Sequence, residues 1–260
     1  MSDEHKARLR LPAAQLRAAL PLVAAVCLLL AAWLAWNGWQ QMRDAHRSDA
    51  LLASRDLAVT GTQRALQDQT RRLGEALRSP AVQSALAAGD LDSAAARLAA
   101  GWPHLEKAAV LPPDLDAGYA QLPQAGFGRL AIAEAALAAD APVARVAKDG
   151  GPKLVVAAPA KAGNRVAGVA YVRLPLNLAT DAIQAANVDG ASYLALREGN
   201  YSIVERGDAA LSNVAEALST KVPGTDLRVV AGLPDTEQGL FGMGAVASLI
   251  AALVLLAGAV

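Results

Sequence analysis

The chain has 260 residues, 24 Lys+Arg against 24 Asp+Glu, a formal net charge of zero and one cysteine. Zero net charge with no basic block argues against a nucleic-acid partner, which needs a cationic face. A single Cys27 excludes a disulfide framework, and His5, His46 and His104 stand too far apart for a zinc site.

Residues 1–17 read as a short basic tail, with Lys6, Arg8, Arg10 and Arg17. Ala18 to Trp36 then holds 19 residues without a charge. As a helix it covers about 29 Å, close to the thickness of a bilayer's hydrocarbon core. Trp33, Trp36 and Trp39 stand where amphipathic rings favour the membrane interface. The apolar core is longer than that of a signal peptide, and its Trp-rich exit lacks a small-x-small cleavage site. Residues 18–39 are therefore expected to form an uncleaved membrane helix. Basic residues precede it, and no Lys or Arg follows Arg228. That bias expects the N-terminus in the cytoplasm and residues of about 40–238 in the periplasm of a bacterial inner membrane, with the lipid bilayer as a partner.

Residues 40–78 contain no proline and read as one long helix. Ala45, Leu52, Val59, Leu66 and Leu73 recur every seven residues, while Ser48, Arg55, Thr62 and Gln69 form a polar companion row. Two readings stand: a helix packed on its own domain, or the seam of a homodimer.

Residues 79–238 read as a sensor-like α+β domain. Ser79-Pro80 starts a helix and Gly89 stops it; Asp90 caps the next, which Gly101 stops. Loops follow around Pro103, Pro112, Pro113 and Pro123, with one short strand at 108–111. Phe127 to Ala139 is expected to be helical. Strand-like runs at 143–148, 153–158 and 165–174 alternate with Gly-containing turns, as in an antiparallel meander. A helix at 176–186, a hairpin of 192–197 with 201–205, a helix at 208–220 and a strand at 227–232 complete the expected domain. The fold class is α+β, with one antiparallel sheet. Gly239 to Val260 is uncharged and is expected to be a second membrane helix. It ends without polar flanking residues, which reads as part of a longer polypeptide.

No phosphate loop, nucleophile elbow or dinucleotide fingerprint is present in the sequence. Gly126-Phe127-Gly128 lacks a strand–turn–helix setting. Asp90-Leu91-Asp92 and Asp114-Leu115-Asp116 pair carboxylates, but a helix cap and a Pro-flanked loop account for them. No catalytic or metal-binding residue is assigned. In the strand 165–174, Ala167, Val169, Tyr171 and Arg173 share one face. Tyr171, Arg173 and Tyr193 are the ligand-binding candidates, with Arg173 suited to a carboxylate or phosphate of a small periplasmic ligand. The alternative places all three on a half-buried sheet without a ligand.

The run LVVAAPAKAGNRVAGVAYVRLPL (154–176) resembles the meander of Cache/PAS-like sensor regions. In addition, SPAVQSALAAGDLDSAAARLA (79–99) and YLALREGNYSIVERGDAAL (193–211) resemble the N-terminal, membrane-anchored region of long-form bacterial phosphomannomutase/phosphoglucomutase. That resemblance implies a non-catalytic sensory or regulatory region of a parent enzyme of sugar-precursor synthesis. Mg²⁺ and hexose phosphates then belong to the parent, and no cofactor to this chain. The sensor resemblance alone implies the ligand-sensing region of a chemoreceptor, histidine kinase or diguanylate cyclase. A passive membrane anchor or assembly scaffold is the remaining alternative.

Overall fold

Helix α1 (Ala13–Arg78) is 66 residues long. It carries the uncharged stretch and the heptad row in one element. In the computed structural model the described residues are 13–100, 102–120, 126–148, 151–234 and 245–259. Most of the expected tail, the Gly101 helix stop, the loop around Pro123, the first half of the Asp149–Pro152 turn, and residues 235–244 and 260 lie outside them. Two compact units result: residues 1–49 with 235–260, and residues 50–234.

The first unit corrects an expectation. Among the described residues, no helix is long and apolar enough to cross a membrane. The membrane helices expected at 18–39 and 239–260 are not supported. Past Trp36 the apolar run of α1 gives way to Asn37, Gln40, Gln41 and Arg43. The C-terminal helix α7 (Ala245–Ala259) has only 15 residues; at 1.5 Å each it spans about 22 Å. The expected inner-membrane placement rested on those two spans.

In the second unit α1 is the spine. Leu51, Ala58, Val59, Leu66, Leu73 and Leu77 are buried in one cluster. That stripe follows the heptad row and its flank, and it is closed by this domain's own side chains. Of the two readings of the row, the helix packed on its own domain describes residues 51–77. The row's first member, Ala45, is exposed.

Two short helices follow, α2 (Pro80–Ala88) and α3 (Leu91–Ala99). Ser79 caps α2 by accepting from Val82 N–H, and Gly89 ends it at φ 73°, a backbone conformation favouring glycine. Asp90 caps α3, accepting from Ser93 N–H at 3.0 Å. Next come β1 (Lys107–Leu111), α4 (Asp116–Ala120) and α5 (Phe127–Ala139). Asp114 starts α4 by accepting from Asp116 N–H at 3.0 Å, so its carboxylate is a turn-former. Gly126, at φ 80°, is the N-terminal flank of α5. Strands β2 (Val143–Ala147), β3 (Lys153–Ala162) and β4 (Arg165–Leu174) complete the first half, and α6 (Asn177–Gln184) leads away. Gly61 of α1 makes room for α6: a Cβ there meets Ala182 Cβ at 2.9 Å.

The second half is β5 (Tyr193–Glu198), β6 (Tyr201–Gly207), two 3₁₀ turns at Ala209–Asn213 and Ala215–Leu218, β7 (Thr220–Lys221) and β8 (Leu227–Gly232). The single expected sheet is in fact two antiparallel sheets of four strands, in the orders β1-β4-β3-β2 and β6-β5-β8-β7. The chain leaves the first sheet through Pro175 and α6, so β5 pairs with β6 and β8 instead of β4. Expected helix 208–220 is broken into 3₁₀ turns. Its Ser212 carbonyl accepts from Arg197 Nη2 at 3.1 Å.

Both sheets turn one face to α1. Leu154, Val156, Val172 and Leu174 of the first and Leu194, Leu196, Leu227 and Val229 of the second join the α1 stripe in one core. The other face of the first sheet has its own cluster, built with α5. Strand alternation makes this division possible, since neighbours along β4 point to opposite faces.

Candidate functional site

The outer face of the first sheet is apolar at one end and basic at the other. At the apolar end Ile132, Ala133 and Ala136 of α5 pack on Leu111, Val155, Ala157 and Val169. Pairing register sets the basic end. Lys107 faces Arg173, Arg173 faces Val155, and Val155 faces Arg145. Partners directly across an antiparallel ladder share a face. A transverse row thus reads Lys107, Arg173, Val155, Arg145 across four strands. Lys153 stands two residues before Val155, on the same face.

Tyr171 occupies the adjoining row and is buried. Arg129, in the first turn of α5, lies over its ring with the guanidinium carbon 5.7 Å from the centroid. One carboxylate serves the cations here: Glu106 accepts from Lys153 Nζ at 2.6 Å and lies 3.4 Å from Arg173 Nε. The contact with Arg173 lacks hydrogen-bond geometry. The Nε atoms of Arg129 and Arg173 are buried without a hydrogen-bond acceptor. A buried donor without an acceptor is costly. Lys107, Lys153 and Arg173 beside Glu106, with Arg129 over the neighbouring Tyr171, therefore form a site with excess positive charge beside a low-dielectric floor. Such a site suits a carboxylate or phosphate, which arginine recognises with paired N–H donors.

Sequence reasoning singled out Tyr171 and Arg173, and the structure places them two residues apart on this face. Tyr193 is elsewhere. It lies in the second sheet, fully buried, in a cluster with Ala195, Ala215 and Val230. Its hydroxyl donates to Glu205 Oε2 at 2.7 Å and accepts from Arg197 Nη2 at 3.2 Å. Arg197 also donates from Nη1 to Glu216, from Nε to Ser202 Oγ at 3.2 Å and from Nη2 to Ser212 Oγ at 2.7 Å. Burial opposes the charge of Arg197. Bonds to Tyr193 and Glu216 outweigh it and raise the pKa. Every nitrogen of that guanidinium has an acceptor, so Tyr193 belongs to a saturated structural pin.

Arg129, Lys153, Lys107 and Glu106 went unnoticed in the sequence. Lys153 had only a partial signal: counting back from the Gly163–Asn164 turn sets Leu154 opposite Arg173, and it is the bulge between Ala160 and Lys161 that shifts Val155 there, with Lys153 diagonal to it. Arg129 had no such signal, because the docking of α5 is tertiary.

A separate open cleft of about 690 Å³ runs between α1, α2 and β3, lined in part by Gln67, Arg71, Gln83, Asp140 and Lys161. Two of its cations are paired locally, Lys161 with Asp140 at 2.7 Å and Arg71 with Asp68 at 2.8 Å, and Arg78 also lines it. That leaves one net positive charge, without the buried, acceptor-less Nε atoms of the first-sheet site. No protein-family model matches this chain, and no curated protein matches it.

Proposed function

We propose that residues 50–234 form a non-catalytic ligand-sensing or regulatory module. Its ligand is a small carboxylate- or phosphate-bearing molecule held at the basic end of the first sheet. Arg129 and Arg173 supply the anion donors, Lys153 and Lys107 supply field, and Glu106 occupies part of the site in the free state. The observation that carries this reading is the pair of buried arginine Nε atoms without acceptors beside Tyr171. The long α1 spine under both sheets supports it further, since the helix touches the core of each and can report a change in either. Such reporting works only through a ligand's different affinity for two states of the module. The sensor-like resemblance of 154–176 fits this layout. The phosphohexomutase resemblance makes hexose phosphates a natural part of the test.

The test is a thermal-shift screen of the full chain against dicarboxylates, amino acids, inorganic phosphate and hexose phosphates. At least one anion is expected to raise the melting temperature of the wild type. Arg173→Gln is expected to weaken that ligand by about ten- to a hundredfold, the worth of a hydrogen bond to a charged group. A screen in which no anion shifts the wild type contradicts the proposal.

A further inference from the structure

Strand β2 is an edge of the first sheet, paired on one side with β3. The same strand and the residue after it meet the second sheet at three points. Arg145 pairs with Asp226 at 2.7 Å. Val146 N–H donates to Glu198 Oε1 at 3.4 Å. Lys148 Nζ stands 4.1 Å from the centroid of the Tyr201 ring. The partners come from the β7–β8 turn, the end of β5 and the start of β6. They are separate segments of the second sheet, and each meets one stretch of six residues in the first half.

That stretch also borders the anion site. Arg145 is the fourth member of the row that holds Lys107 and Arg173. The helix carrying Arg129 runs into β2 through a three-residue turn, with Asp140 at φ 46°. A cavity of about 270 Å³ lies between them, lined by Ala135 and Ala139 of α5, Arg145, Lys221 and Asp226 among others. Arg145 has one guanidinium and two claims on it, Asp226 and the charge of an anion on its own sheet face.

We infer that the Arg145–Asp226 pair, with its Glu198 and Lys148 neighbours, is a latch that couples occupancy of the anion site to the second sheet. Its regulatory purpose rests on the ligand reading above; its coupling does not. An anion that draws Arg145 or α5 toward the site loosens the β7–β8 turn. Conversely, breaking the latch from the Asp226 side loosens the site.

Hydrogen exchange of the full chain, resolved by peptide, tests this in Asp226→Asn. Asp226 lies in the second sheet's turn, whereas the readout is in α5 and β2, residues 127–147. Exchange there is expected to rise about two- to fivefold, the range an ion pair with both partners part exposed supports. A rise confined to residues 221–232 overturns the latch. Should Asp226→Asn fail to give a cooperative melt, Arg145→Gln makes the same test in reverse, with the rise expected at 222–228. Inorganic phosphate separates the two ideas. If phosphate protects 107–173 in the wild type yet leaves 222–228 unchanged, the latch is wrong and the anion site stands. If phosphate protects nothing, it is not the ligand, and the Asp226→Asn result still decides the latch.

Discussion

Arg129 stands over the ring of Tyr171, its guanidinium carbon 5.7 Å from the ring centroid, while its buried Nε has no acceptor. The two residues bring together an α-helix and a β-strand whose closeness nothing local in the chain announces. Arg129→Gln should separate binding from stability. A cation over a desolvated ring is worth about 2 kcal/mol, and Tyr171 is buried, so the folded state should lose about that much. Affinity for the anion should fall at least tenfold, read by calorimetric titration of wild type and variant. Equal affinities exclude Arg129 from the site.

Tyr171 carries the opposite balance. It is buried among Val155, Ala157 and Val169, so Tyr171→Ala leaves a cavity. A loss of about 3–5 kcal/mol is expected in urea denaturation, the range of aromatic truncations in a core. A loss below 1 kcal/mol shows that α5 does not cover this face.

The α1 stripe predicts a contrast along one helix. Leu66 and Leu73 are buried, whereas Leu57 is exposed on the other side. Leu66→Ala should cost about 2–5 kcal/mol, and Leu57→Ala should stay within about 0.5 kcal/mol. Gly61→Ala should also destabilise, because its new Cβ meets Ala182 at 2.9 Å. Were the heptad row a dimer seam over residues 51–77, the cost of Leu66→Ala would depend on protein concentration; it should not.

Glu198 makes a prediction about pH. Burial raises its pKa above the usual 4.5; the Val146 N–H bond and the charges of Arg145 and Lys148 pull it back, and Asp226 adds to the rise. With the folded pKa above the unfolded one, the native state binds the extra proton. Stability from this group is then fully present below the unfolded value and is lost as pH rises through the folded value. Glu198→Gln keeps an acceptor for Val146 N–H without the cost of a half-buried charge. The variant should be at least as stable as wild type at pH 7 and lose the part of the pH slope just above 4.5. Urea midpoints across pH 4–7 measure both; an unchanged slope removes Glu198 as its source.

Much of the fold can be read along the chain. Ser79-Pro80, Gly89 and Asp90 act locally, and each sits where its capping chemistry requires. Phe127–Ala139 is helical over the whole expected span, and a two-residue turn, Gly163–Asn164, within the expected Lys161–Asn164 turn closes the expected hairpin. What escaped were long-range choices. Nothing local tells β5 to pair with β8, 29 residues or more away in register, instead of extending the first sheet. Arg197 is revealed by no motif, yet it donates to the Ser212 carbonyl within the segment that forms two 3₁₀ turns in place of the expected helix. The site divides the same way. Alternation along β4 placed Tyr171 and Arg173 on one face, but only the docking of α5 brought Arg129 to them. Tyr193 has the same chemistry as Tyr171 and a different sheet, which spacing alone does not reveal.

The most direct measurement is calorimetric titration of the best anion from the screen into wild type, Arg173→Gln and Tyr193→Phe. An anion site on the first sheet predicts binding lost at least tenfold in Arg173→Gln and retained in Tyr193→Phe. Binding that survives Arg173→Gln and is lost in Tyr193→Phe contradicts it, and moves the site to the Arg197 cluster of the second sheet.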